Sequence, residues 1–162
     1  MKSPPTLKAR ALRLLAQREH SRAELMAKLS RHVQEGEDLP ALLDALAAKG
    51  FIDEARVAES LLHRRAPLLG SQRVLQELRS KGLSEELLRA SAEQLAGTEL
   101  ARALAVWRKR FGDGPVPADA RERARQMRFL AARGFSGETV RRALALAGGS
   151  QAASGCEPDH GL

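Results

Sequence analysis

Aromatic residues and cysteine are scarce in this sequence. Only 3% of the 162 residues are aromatic, tyrosine is absent, and Cys156 is the one cysteine. A single cysteine cannot form an intramolecular disulfide, so the fold does not depend on an oxidising compartment. No apolar run approaches the roughly 20 residues of a membrane span. The N-terminal MKSPPTLKAR lacks the apolar stretch of a signal peptide. We therefore expect a cytoplasmic protein with no membrane contact.

Alternating runs of β-branched and aromatic residues are also missing, so the sequence predicts no strand. Alanine, leucine, glutamate, lysine and arginine account for 95 of the 162 residues. These residue types are the strongest helix formers apart from methionine and glutamine. The predicted fold class is all-α.

No constellation of residues predicts catalysis or metal binding. The four histidines, His20, His32, His63 and His160, are scattered and lack metal-ligand spacing. A phosphate-cradling glycine loop is absent as well. Asp53 is better explained as a helix start than as one of a pair of catalytic carboxylates. We expect a protein that is not an enzyme and needs no cofactor.

Start and stop signals divide the chain into nine short helices. Ser21 and Glu24 form a capping box at the start of the second helix, and Asp119 and Glu122 suggest the same device for the eighth. Ser84 opens the sixth helix, and Thr98 with Glu99 begins the seventh. Helices this short need a neighbour to cover their apolar stripe.

One helix stop recurs three times in the sequence. It reads LAAKGF at 46–51, LRSKGL at 78–83 and LAARGF at 130–135, and the last two lie 52 residues apart. Glycine supplies the left-handed residue that closes a helix, and the preceding cation suits its negative end. The recurrence predicts an elongated, curved array of three-helix repeats. The predicted boundaries are 1–50, 51–97 and 98–147, followed by a disordered tail at 148–162.

Basic residues concentrate in the third repeat. Residues 100–149 carry 11 basic and 4 acidic side chains, whereas the whole chain has a net charge of +7. Such a block suits a polyanion or an acidic protein surface, although a solvated helical face is the simple alternative. The candidate partner-binding residues are Arg108, Lys109, Arg110, Arg121, Arg125, Arg128, Arg141 and Arg142.

Spacing gives the eighth helix a basic face. Arg121, Arg125 and Arg128 fall at i, i+4 and i+7, which places Ala120, Ala124 and Met127 toward the interior. Arginine favours bidentate contact with carboxylate or phosphate. Trp107, beside the first cationic run, is expected in the core rather than on a base-stacking surface. A weaker basic set, with acids mixed in, comprises Arg64, Arg65, Arg73, Arg79 and Lys81.

Five segments in order carry a resemblance to a known family. They are ARALRLLAQREHSRAELMAKL (9–29), GFIDEARVAESLLHRR (50–65), RVLQELRSKGL (73–83), ALAVWRKRFG (103–112) and ARERARQMRFLAARGFSGETVRRAL (120–144). Together they span nearly all of residues 7–147. In these segments the sequence resembles the bacterial RecX regulators of recombination.

The resemblance implies three tandem three-helix repeats in a curved body. It also implies binding to the RecA recombinase filament on single-stranded DNA. By that resemblance the protein would limit RecA's filament growth, ATP hydrolysis, strand exchange and coprotease activity. The sequence departs from the family where Val57 replaces a common aromatic and where the 67–71 turn lacks a tyrosine.

Two other functions fit the residues. A helical DNA-binding module acting without RecA could use the helix pair at 6–31, and weak sequence-independent DNA binding is expected in either case. A purely structural adaptor would bind protein with little sensitivity to salt. We expect a monomer with the RecA filament as its partner.

Overall fold

The computed structural model describes residues 3–149, and every regular element in that range is helical. The all-α prediction is confirmed. Gly148 and Gly149, predicted to begin the disordered tail, instead form the last turn of a helix. The rest of that tail, with Cys156, lies outside the described residues. The helices are α1 (Leu7–Gln17), α2 (Arg22–Leu29), α3 (Leu39–Ala48), α4 (Glu54–Arg65), α5 (Ser71–Ser80), α6 (Glu85–Phe111), α7 (Ala120–Ala132) and α8 (Gly137–Gly149), with a 3₁₀ turn at Ser30–His32.

The predicted helix starts in the first half of the chain are confirmed. The Ser21 hydroxyl accepts from the Glu24 amide at 3.1 Å, and the Glu24 carboxylate accepts from the Ser21 amide at 2.9 Å. Asp53 accepts from the Arg56 amide at 3.1 Å and so begins α4. Each contact satisfies an amide that the first helical turn leaves without a partner.

The expected break between a sixth and a seventh helix is wrong. Helix α6 runs through Gly97, Thr98 and Glu99 without interruption for 27 residues. Gly97 is not among the glycines with positive φ, so it does not act as a stop. A single helical glycine costs only about 1 kcal/mol relative to alanine, which flanking turns rich in alanine and leucine can offset.

The three recurrent helix stops behave as their sequence predicts. Gly50, Gly82 and Gly134 have φ values of 80°, 70° and 93°, in the left-handed region that glycine adopts without strain. The amides that follow turn back onto the preceding helix: Phe51 donates to the Leu46 carbonyl at 3.0 Å, and Phe135 donates to that of Leu130 at 3.3 Å. These are the closing bonds of a helix that ends in glycine.

The described chain divides into two compact units. The first unit comprises residues up to 63 together with 76–91, and the second comprises 64–75 and the residues from 92 onward. The boundaries of the three repeats remain a prediction. Leucines from α1, α2 and α3 build the core of the first unit, with Leu25, Leu43 and Leu46 almost wholly buried.

The core of the second unit lies where α6, α7 and α8 meet. Trp107 and Phe135 are buried beside Leu130, Val140 and Ala143. The Trp107 indole N–H donates to the Gln126 side chain at 2.8 Å in a buried contact. Trp107 is therefore a core residue, as predicted, because burial and this hydrogen bond account for both its ring and its polar atom.

Two glycine backbones touch inside the second unit. The Gly70 amide donates to the Arg133 carbonyl at 2.8 Å, and the Gln72 amide donates to the Gly134 carbonyl at 3.2 Å. A Cβ added to Gly70 would lie 2.1 Å from the Gly134 carbonyl carbon. Only glycine fits here, so this contact fixes α5 against the corner between α7 and α8.

A partly buried polar network ties the helix ends of the first unit together. The Glu24 carboxylate accepts from Arg18 at 2.9 Å and from Lys81 at 2.6 Å, besides the Ser21 amide. Nearby His20 is buried: its Nδ1 faces the Arg18 carbonyl at 2.9 Å and its Nε2 faces the Lys28 ammonium at 3.2 Å. Nδ1 therefore carries the proton of a neutral imidazole, and Nε2 accepts.

This network should make the first unit sensitive to acid. Burial, followed by the positive charges of Arg18 and Lys28, lowers the pKa of His20 below 6.5. Burial alone would raise the pKa of Glu24, but its hydrogen bonds lower that pKa from 4.5 to about 2. Both groups bind protons less readily in the folded state, so the stability they contribute is complete at neutral pH. It should decline below pH 6.5 through His20 and again from 4.5 toward 2 through Glu24.

Replacing the carboxylate tests the assignment to Glu24. We expect Glu24→Gln to lower the free energy of unfolding at pH 7 by about 2 kcal/mol, since Arg18 and Lys81 lose a charged acceptor. The loss of stability between pH 4.5 and 2 should also become shallower in urea denaturation curves. Glu59→Gln, at an exposed glutamate of α4, is the control. Equal curves for the two variants would contradict the assignment.

Candidate partner-binding surface

Helix α7 presents the basic face that its spacing predicts. The Asp119 carboxylate accepts from the amides of Arg121 and Glu122 and begins the helix. Arg121, Arg125 and Arg128 are exposed, whereas Gln126 and Leu130 are buried. One inward assignment is wrong: Ala120 is exposed, because the first turn of α7 projects beyond the packed core.

Glu122 differs from its predicted role. A capping box would require its carboxylate to reach back to the Asp119 amide. Instead, its carboxylate oxygens accept two hydrogen bonds from Arg125, both at 2.9 Å, and a longer one from Gln126 at 3.4 Å. The Arg125 hydrogen bonds lower the pKa of Glu122 and raise the pKa of Arg125. Arg125 is therefore held by an acid on its own helix, whereas Arg121 and Arg128 form no ion pair within the described chain.

Aromatic rings underlie the arginines where α6 meets α7. Phe111 packs edge-on against Phe129 with ring centroids 5.3 Å apart, and its centroid lies 6.4 Å from that of Trp107. The guanidinium carbons of Arg110 and Arg125 lie 5.5 and 5.7 Å from the Phe111 centroid. Such contacts are favourable by about 0.5–1 kcal/mol at exposed sites. They place a cation of α6 and a cation of α7 against the same ring.

We define the arginine–aromatic patch as one surface of the second unit. A third cation contributes to it, since the Arg133 guanidinium carbon lies 5.0 Å from the Phe129 centroid. Arg121 and Arg128 adjoin Arg125 at helical i−4 and i+3 positions. The patch consists of Arg110, Arg125 and Arg133 against the rings of Phe111 and Phe129, with Arg121 and Arg128 beside Arg125 on α7.

The remaining cations of α6 flank this patch. Arg108 is exposed, with its Nε 3.9 Å from Asp113, a weak ion pair. Lys109 and Arg110 border a groove of about 410 Å³ whose apolar walls include Leu68 and Phe129. Leu68 is 42% exposed. The groove therefore combines an apolar floor with a basic rim.

Arg141 does not extend the same face. Arg141 and Arg142 are both exposed on α8, and Arg141 lines a separate groove of about 510 Å³ with Arg123 and Met127. Arg123 is two residues from Arg121, or about 200° around the helix. The structure thus divides the predicted basic residues between two surfaces of the second unit. The sequence analysis missed Arg123 and Arg133, which its spacing argument did not include.

Arg73 and Lys81 of the weaker basic set have structural contacts. Arg73 donates to the Ala132 carbonyl at 3.1 Å and packs over Gly134, and Lys81 binds Glu24. Arg64 and Arg65 also take part in interactions within the protein. Arg79 is exposed and forms no ion pair within residues 3–149, so it is the member most accessible to a partner.

A polar network lies inside the second unit. Glu99 accepts from the Ser71 amide at 3.2 Å and from the Thr139 hydroxyl at 2.6 Å. Burial raises the pKa of Glu99, but hydrogen bonds from Thr139 and Ser71 outweigh it and lower the pKa. Arg102 donates to the Ala66 and Leu95 carbonyls, both at 3.0 Å. These contacts join α6 to the start of α5 and of α8, and no local pattern in the sequence predicts them.

Comparison with known families identifies the chain. Residues 53–91 match the family model described as RecX, second three-helix domain, and residues 98–144 match RecX, third three-helix domain. The Regulatory protein RecX of Leptothrix cholodnii is 51% identical over 142 residues, which cover 88% of this chain and 89% of the relative. This chain belongs to the RecX family.

Other RecX proteins agree with that assignment. The Regulatory protein RecX of Herminiimonas arsenicoxydans is 50% identical over 139 residues, covering 86% of this chain and 91% of the relative. The crystal structure of RecX from Lactobacillus salivarius superposes with a TM-score of 0.70 at 14% identity, over 87% of this chain and 94% of that one. A second crystal structure of regulatory protein RecX gives 0.69 at 21% identity, over 85% and 70%. The RecX resemblance and the helical repeat fold are confirmed.

The described part of this RecX chain offers no obvious centre for metal chemistry. Within residues 3–149, no group of three or more histidine, cysteine, aspartate or glutamate side chains is arranged to hold a metal ion. None of the helices in the same range is long and apolar enough to cross a membrane.

Proposed function

We propose that this RecX-family chain binds the RecA filament on single-stranded DNA and inhibits its growth. RecA's ATP hydrolysis, strand exchange and coprotease activity would fall as a consequence. The observation that carries the proposal is the family assignment, based on two domain models and on relatives about half identical over most of the chain. The protein acts by binding in this scheme and carries out no catalysis of its own.

The arginine–aromatic patch supports this mode of action. A nucleoprotein filament presents carboxylates and phosphates, and guanidinium groups bind both of these groups in a bidentate manner. Arg110, Arg125 and Arg133 rest against aromatic rings, so they lose less conformational entropy when a partner binds. We assign the filament contact to this patch, with Arg108, Lys109, Arg141 and Arg142 as further contacts.

The mechanism follows from where such a protein would bind. A helical filament grows by adding subunits at an end, so one inhibitor molecule there stops many additions. Inhibition should therefore occur at fewer than one copy per RecA subunit. Because the contacts are ionic, added salt should weaken binding.

Co-sedimentation tests the partner directly. RecA filaments assembled on single-stranded DNA with a slowly hydrolysed ATP analogue would be pelleted in the presence of this protein. We expect the protein in the pellet, and less of it as salt rises. The control is the same DNA without RecA or any other protein. If this control pellets as much of the protein as the filament does, the result would instead favour a helical DNA-binding module that acts without RecA.

A further inference from the structure

A second basic surface lies in the first unit, far along the sequence from the arginine–aromatic patch. It is a groove of about 340 Å³ between α1 and the end of α2. Its floor contains Leu14 and the buried Leu29. We call it the N-terminal basic groove, and its lining residues are Arg10, Arg13, Leu14, Lys28, Leu29, Arg31 and His32.

The cations of this groove are not neutralised by the protein. None of the lining residues is acidic, and no described carboxylate forms an ion pair with Arg10, Arg13 or Arg31. Three other arginines of the first unit do pair with acids: Arg18 binds Glu24, Arg22 binds Asp44 and Arg56 binds Glu19. Like charges gathered without a counter-charge cost stability, which a bound anion would restore.

The groove holds its cations in two pairs. Arg10 and Arg13 are three residues apart on α1, and Lys28 and Arg31 are three apart at the end of α2 and its 3₁₀ turn. Residues with this spacing lie about 5–6 Å apart at their Cβ atoms on an α-helix. Lys28 is positioned by its contact with His20 Nε2 at 3.2 Å. Arg10, Arg31 and His32 line the groove together, and the positive charges of the two arginines, after burial, lower the pKa of His32.

The groove continues into a neighbouring one of about 270 Å³. Arg10, Arg31 and His32 line both, and the second is otherwise bordered by Pro4, Gln34 and Glu37. Glu37 is the acidic residue there, and it accepts from the Gln34 amide at 2.8 Å. Two grooves that share lining residues form an extended surface, which suits an extended polymer strand more than a small anion.

We propose that the N-terminal basic groove binds the phosphate backbone of a nucleic-acid strand without regard to base sequence. Arg10, Arg13, Lys28 and Arg31 contact the phosphates, since paired guanidinium groups suit them. No phenylalanine, tyrosine or tryptophan lines the groove, so it lacks the large stacking surface that single-strand binders use. This proposal does not depend on RecA and is tested without it.

Fluorescence anisotropy with a labelled oligothymidine of about 20 nucleotides, longer than a typical binding site, tests the groove. The full chain carrying Arg13→Gln and Arg31→Gln should bind about tenfold more weakly at low salt. The slope of log affinity against log salt should also fall by about 1.4, the value for two lost phosphate contacts on a single strand. The control carries Lys8→Gln and Arg89→Gln, which remove the same charge from exposed positions outside the groove. Equal affinity and slope for the two double variants would overturn the proposal.

A measurement on the unaltered protein guards against a folding defect in the variant. Reductive methylation of lysines would be compared with and without the oligothymidine. We expect the strand to slow modification of Lys28 and to leave Lys8, on the same unit but outside the groove, unchanged. Equal modification of Lys28 in both conditions would also overturn the proposal. The groove would then be better explained as a site for an acidic protein segment.

Discussion

Replacing Gly70 by alanine is expected to lower the free energy of unfolding by about 3 kcal/mol or more. The new Cβ would lie 2.1–2.2 Å from the backbone atoms of Gly134 and Phe135. Backbone cannot turn aside as a flexible side chain can, so α5 must separate from the corner between α7 and α8. The hydrogen bonds from Gly70 to Arg133 and from Gln72 to Gly134 would then lengthen or break.

The chain offers a matched control for this substitution. Gly97 lies inside α6 with no atom within 4 Å of an added Cβ. Gly97→Ala should therefore be neutral or stabilise the protein by up to about 1 kcal/mol, because alanine is the better helix former. Urea denaturation of both variants gives the comparison. Curves for Gly70→Ala that match wild type would show that the two backbones are not in contact.

Removing the basic face of α7 should have the largest effect on function. We expect the triple variant Arg121→Ala, Arg125→Ala and Arg128→Ala to need about 10- to 100-fold more protein to inhibit RecA. Each lost ionic contact at an exposed surface is worth about 0.5–1 kcal/mol, and about 1.4 kcal/mol is a tenfold change in affinity. The three arginines are exposed, so the variant should fold and retain its helical content.

Two comparisons separate the face of α7 from charge in general. The first comparison is a triple variant that removes the same charge from exposed positions of the first unit: Lys8→Ala, Lys49→Ala and Arg89→Ala. We expect this control variant to inhibit RecA nearly as well as wild type. A triple arginine-to-lysine variant of α7 keeps the charge but loses the planar fork, so it should recover only part of the activity. Wild-type inhibition by a folded α7 alanine variant would show the assignment to be wrong.

Local signals in the sequence predicted much of the fold. The capping box and the helix-ending glycines act through hydrogen bonds within four or five residues; they are Ser21 with Glu24, and Gly50, Gly82 and Gly134. A short segment of the sequence therefore contains every residue that determines these helix ends. The same local signals gave a wrong prediction at residues 97–99, where Gly97 resembles the end of one helix and Thr98 the start of the next. Burial on either side, at Leu95 and Ala103, makes one continuous helix more stable than two.

Contacts between distant residues could not be predicted in this way. Gly70 meets Gly134, and Glu99 meets Ser71 and Thr139, across separations that no spacing rule addresses. Glu99 was interpreted as part of a helix start, although its carboxylate joins three helices. For the candidate site, spacing identified the face of α7. Spacing alone could not show that Arg110 and Arg125 contact the same ring, that of Phe111. Nor could it show that Arg141 and Arg123 line the same groove.

The N-terminal basic groove was missed for a related reason. Residues 1–99 carry almost balanced charge, with 16 basic and 14 acidic side chains. Net charge therefore gave no indication of a basic surface. Folding separates these charges, since Arg18, Arg22 and Arg56 pair with acids whereas Arg10, Arg13 and Arg31 do not. The nucleic-acid partner proposed for the groove rests on this separation.

The proposed action on the RecA filament at fewer than one copy per subunit is tested most directly through RecA's ATP hydrolysis. Hydrolysis on single-stranded DNA would be titrated with this protein well below one copy per RecA. We expect hydrolysis to fall at these substoichiometric amounts and to recover when salt is added. Hydrolysis that stays unchanged, while the protein binds naked single-stranded DNA tightly, would contradict the proposed action on the filament.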